Sequence, residues 1–189
     1  MNTVKHLNKT KIIARTALGI ALVIVSQLLG KLIPPIAVIF GPFSVSQLLT
    51  GTLVNCILIV FTVNTGVLSG ILIGVLSSVM ATILGVGPII PLITPVIAAG
   101  NALLVIIFRI SGCNTKLGGI PAVVFSSAAK CVFLWLTVPV VLSLIPDIVP
   151  KQTAMLSIMF SWPQGVTAML GGFLALTINR ALSGALDKK

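Results

Sequence analysis

Long apolar runs alternate with short polar or Pro/Gly-rich breaks along almost the whole chain. A polar, basic tail over residues 1–11 leads into an apolar run at about residues 12–33. That run is too long for a signal-peptide core and ends at Lys31 and Pro34–Pro35 without a clear cleavage site, so it reads as a first membrane helix. Residues 34–46 (PPIAVIFGPFSVS) are too broken for a span and too greasy for an ordinary linker. Further runs predict helices at about 47–63, 67–84, 92–110, 121–145 and 153–178. Gly66, Gly70 and Gly74 mark a face of the third helix that another helix can approach closely. The expectation is an all-α integral membrane protein, one transmembrane domain over residues 1–189 built as a six-transmembrane-helix bundle.

Composition supports this. The chain is 57% hydrophobic and 7% charged, with a mean hydropathy of +1.22, where soluble domains carry about 25% charged residues. The net charge of +10 would suit nucleic acid, but the basic residues sit at span ends and tails rather than in one patch. Six spans put Lys5, Lys9, Lys11, Arg15, Arg109, Lys116, Arg180, Lys188 and Lys189 on one side, and only Lys31 and Lys151 on the other. The positive-inside rule then predicts cytoplasmic termini and no nucleic-acid partner. Cys56, Cys113 and Cys131 lack metal-ligand spacing and read as small hydrophobes.

Lys130 changes the picture. It lies in the apolar run AVVFSSAAKCVFLWLTVPVVL, roughly 14 Å from the Gly118–Pro121 entry at about 1.5 Å per residue. That is near the middle of a hydrocarbon core about 30 Å thick, where a Lys costs about 2.5–3.5 kcal/mol to insert. The only two acids, Asp147 and Asp187, lie outside every apolar run. A charge this expensive, with no protein partner expected, points to an anion arriving from outside; a Lys that snorkels, or that faces another subunit, is the plainer alternative. Asn101 and Gln164 fall at a similar depth, with Ser126 and Ser161 one turn away on their respective helices. Trp162-Pro163-Gln164 predicts a proline kink inside the sixth helix. These faces converge on a polar pocket in helices 4–6, unless the amides merely tie helices together. Asn55 reads as such a tie.

Catalysis has little to work with. The one histidine, His6, is in the tail, no carboxylate is intramembrane and no phosphate-binding loop is present. The chain reads as a non-catalytic solute binder without a cofactor, its transport powered by a partner. A stand-alone facilitator or channel, or a structural assembly protein, are the competing readings.

Helix 1 carries Ala14, Ala17 and Ala21, with an AxxxA spacing suited to close helix contact. With six spans, a basic balance, the apolar loop after helix 1 and the polar faces of helices 4–6, the chain resembles the substrate-binding S subunits of energy-coupling-factor (ECF) vitamin transporters. More narrowly it is similar to the pantothenate-specific type. The resemblance implies capture of a vitamin outside the bacterial plasma membrane, with docking on a transmembrane T subunit joined to two cytoplasmic ATPase subunits. It assigns Ala17 and Ala21 (with Ala14 beside them) to docking, and loop 34–46, with Phe40 and Phe43, to a lid over the substrate. It also puts the site in the outer half of the membrane. A Lys favours a carboxylate, and a chain with no Tyr offers only Trp135 and Trp162 as large platforms for flat-ring ligands. A flexible hydroxylated carboxylate suits that inventory better, its acid on Lys130 and its amide and hydroxyls on Asn101 and Gln164, with biotin, niacin and lipoate as open alternatives.

Overall fold

The computed structural model describes residues 8–33, 38–40, 43–112, 119–146 and 148–186. It consists of helices with one short hairpin: α1 (Lys9–Lys31), β1 (Val38–Phe40), β2 (Phe43–Ser44), α2 (Val45–Thr65), α3 (Val67–Ile83), a 3-10 turn (Pro91–Ile93), α4 (Thr94–Ile110), α5 (Ile120–Ser143), α6 (Pro150–Met159) and α7 (Trp162–Leu186). Among the described residues, five segments are long and apolar enough to cross a membrane, the last being α6 and α7 together, as expected of a multi-pass membrane-embedded protein. One shorter apolar helix, α3, has 17 residues, about 25 Å at ~1.5 Å per residue.

Local chemistry sets the helix ends. Ser44 and Gln47 form a reciprocal capping box at the start of α2, the Gln47 N–H donating to Ser44 Oγ and the Ser44 N–H to Gln47 Oε1. Gly66 (φ 118°) lets α2 turn directly into α3, a backbone conformation closed to most side chains. Gly119 (φ 86°) opens α5, and Pro121 occupies its first turn, where a missing N–H is harmless.

Two expectations about this architecture are corrected. The apolar loop after α1 includes a β-hairpin, with Phe40 opposite Phe43 and Val38 opposite Ser44. The expected sixth helix at 153–178 is two helices. The chain breaks at Phe160–Ser161, and Pro163 lies in the first turn of α7 rather than within a kinked helix. A proline cannot donate to the preceding turn and its ring crowds it, so a new helix starts there.

Packing is tightest between α2 and α7. A methyl group at Gly171 would lie 2.5 Å from the Thr52 carbonyl oxygen and 2.8 Å from the Cys56 nitrogen, so only glycine lets these backbones approach. One core cluster includes Val23, Leu58, Ile59, Ile73, Leu104, Phe108, Val123 and Ala175. A second, around α5 and α6, comprises Ile93, Leu134, Val138, Leu142, Leu156 and Phe160. On α1 the inward face is Thr16, Gly19, Val23, Ser26, Gln27 and Gly30. Ala14, Ala17 and Ala21 face outward, exposed, so they are not packing residues of this bundle.

Candidate functional site

A cavity of about 220 Å³ lies among α1–α5, the α6–α7 break and the 86–88 segment. Its position follows from how the chain ends its helices. Ser46 Oγ donates to the Gly30 carbonyl at 2.6 Å, tying the start of α2 to the last turn of α1. Beyond α3 the backbone doubles back: the Val86 and Gly87 N–H groups both donate to the Ala81 carbonyl, at 2.9 and 2.8 Å. Val86, Gly87 and Pro88 thereby form part of the wall. Met159, Phe160, Pro163 and Gln164 reach it because the chain breaks between α6 and α7.

Lys130 lies on the wall and is 3% exposed. Its Nζ donates to Asn55 Oδ1 and to Asn101 Oδ1, both at 2.7 Å. This corrects the expectation that the lysine has no protein partner. Counting acids overlooked amide oxygens, which accept from an ammonium without bringing a second charge into the membrane. Asn55 is likewise more than a tie between helices, since it holds Lys130 and lines the cavity.

Both amides are oriented by neighbours that can only accept. Asn55 Nδ2 donates to the Gly51 carbonyl at 2.8 Å, and Asn101 Nδ2 to the Gly74 carbonyl at 3.1 Å. Carbonyls facing the nitrogens turn both oxygens to the lysine. Ser77 and Ser78 Oγ also accept from Asn101, at 3.3 and 3.1 Å. A methyl at Gly74 would sit 3.0 Å from Asn101 Cβ, so the glycine face expected on the third helix is what admits this amide. Two of the three ammonium donors are thus engaged, and Lys130 is also part of the cavity lining.

The expected site residues divide. Lys130, Asn101 and Gln164 line the cavity, and Gln164 Nε2 donates to the Met159 carbonyl at 3.3 Å across the helix break. Ser126 is fully buried but lies outside the lining, its hydroxyl donating to the Val123 carbonyl. Ser161 also lies outside it and donates to the Ile158 carbonyl, closing the turn at the break. Trp135 and Trp162 are on the outer surface, 59% and 44% exposed. The side chains of Phe40 and Phe43 are outside the described residues, so the expected lid contact is not placed.

Sequence reasoning also missed residues. The pocket expected in helices 4–6 takes a second wall from α1–α3, with Gln27, Ser46, Gln47, Thr50, Ser77 and Ser78. Two signals were available: Gln27 is the one amide within the first apolar run, and Ser77 and Ser78 follow Gly74 at helical spacing.

Compared with protein-family models, with curated proteins and with solved structures, the chain matches none.

Proposed function

We propose that this chain is a solute-binding membrane subunit that captures a small organic monoanion in the Lys130 cavity. The observation that carries the reading is the cavity's charge: among the described residues, Lys130 is its one formally charged side chain, with no carboxylate on the wall. An anionic group on the third donor would offset a charge whose other contacts are neutral amides. At about 220 Å³ the cavity is below the ~300–1,000 Å³ usual for drug-sized ligands, which suits a compact acid. Toward the other end of the bundle, Leu58, Ile59, Leu104 and Phe108 are fully buried. They favour a receptor that holds its ligand over an open channel.

The particular protein we propose is an S subunit of an ECF-type vitamin importer, with pantothenate the best candidate ligand. Six crossings, with α6 and α7 forming the last, would leave both termini cytoplasmic by the positive-inside rule. A T subunit and two ATPase subunits would supply the energy, and the outward-facing Ala14, Ala17 and Ala21 are available for that contact.

A titration of the purified protein in detergent against carboxylate vitamins tests the reading, with Lys130→Met beside the wild type. Tight binding of one vitamin, weakened at least tenfold by Lys130→Met, is expected, from loss of a hydrogen bond to a charged group worth about 1.5–3 kcal/mol. Unchanged affinity in the variant removes the lysine from the site. The second reading, a purely structural role, draws on the two 2.7 Å bonds by which Lys130 joins α5 to α2 and α4. It requires that the folded protein bind no small acid.

A further inference from the structure

We infer that Gln27 is a specificity-determining residue of the cavity and that it selects, among small anions, those carrying a hydroxyl or amide N–H donor. The inference rests on the ligand-binding reading above and narrows the class of ligand.

Gln27 lines the cavity from α1 and is 3% exposed. Its Nε2 donates to the Ser77 carbonyl at 2.8 Å. A carbonyl only accepts, so the nitrogen must face it and the amide cannot be reversed. Oε1 is therefore committed to the other direction, where it is buried with no hydrogen-bond partner among the described residues. An orphaned acceptor costs about 1–3 kcal/mol, more than a protein gains from one helix tie at about 0.6 kcal/mol. A leucine would pack this wall without that cost. Gln27 is itself a lining residue, and the three flexible torsions of its side chain allow a shift that presents the oxygen to a ligand.

The rest of the cavity agrees. Ser77 and Thr50 flank this side, while Ile97, Met159 and Phe160 are apolar. A carboxylate takes the third donor of Lys130, a hydroxyl or amide N–H meets Gln27 Oε1, and an aliphatic body lies against the apolar residues. A simple fatty acid satisfies the lysine and leaves Gln27 orphaned. Sites built to hydrogen-bond a ligand group reject analogues that lack it.

The test uses the full chain in detergent and three probes by calorimetry: pantothenate, its analogue with both hydroxyls removed and the amide replaced by an ester, and octanoate. The wild type should prefer pantothenate over both others by about tenfold or more. Gln27→Leu should lose about tenfold for pantothenate, bind octanoate as well as or better than the wild type, and so flatten the preference. If Gln27→Leu does not fold, the wild-type comparison of pantothenate with its donor-free ester analogue decides alone, equal affinities overturning the inference. A folded Gln27→Leu with the wild-type preference intact also overturns it, while Lys130-dependent binding leaves the receptor reading standing. No binding of any probe to folded wild type would end both.

Discussion

The bundle is built on two opposed principles at its two ends. Around Phe108, helices meet through glycine and fully buried aliphatic side chains: Gly70 against Val105, Gly172 against Val123, Leu58 and Ile73 in the core. Around Gln27 and Gln164, the same helices are held apart by polar side chains and by breaks in the chain, leaving about 220 Å³ between them. Lys130 stands at the boundary. In a membrane, where burying apolar surface gives helices little reason to associate, close backbone approach and hydrogen bonds do the joining. The packed half uses the first and the cavity half the second, so each should fail to a different kind of substitution.

The sharpest break should come at the boundary. Asn101→Leu removes one of the two acceptors of Lys130 and the bonds to Gly74, Ser77 and Ser78. A loss of about 3 kcal/mol is expected, since a buried charged donor is left under-satisfied. Combining it with Lys130→Met should recover part of that loss. Thermal unfolding of the two single variants and the double variant measures it, and additive effects would show that the bonds do not couple. At the α2–α7 seam, Gly171→Ala should cost about 2 kcal/mol by forcing the two helices apart, whereas Gly184→Ala, which meets nothing within 4 Å, should leave the unfolding midpoint unchanged or slightly raised. A Gly171→Ala midpoint equal to the wild type would contradict the proposed closeness of that seam. The smallest effect belongs to the cavity rim. Ser46→Ala removes the 2.6 Å bond to the Gly30 carbonyl, at about 1 kcal/mol. Faster hydrogen exchange at the start of α2 should reveal it, with the packed half unaffected.

Most helix positions were legible because hydrophobic run length is a one-dimensional property. Gly66, Gly119 and the Pro-rich joints punctuate the chain where the helices begin and end. The break at Phe160–Ser161 was harder to place, since Pro163 marks a discontinuity without saying whether it bends one helix or starts another. Lys130 stood out by its cost, and Asn101 and Gln164 by their depth. Trp135 and Trp162 misled, because an aromatic platform is useful only on the inward face, and their faces are outward.

The sequence by itself determined that this chain is a bundle of apolar helices with an expensive cation in its middle, because insertion cost depends on residue type and position along a run. Only the tertiary structure decided what that cation meets. Asn55 is 75 residues from Lys130 in sequence and Asn101 is 29, while Gln27 comes to the same cavity from the first helix. Which faces turn toward one another depends on the rotation and approach of each helix about its axis. Glycine contacts such as Gly171 on Thr52 fix these, and no periodicity within a single run encodes them.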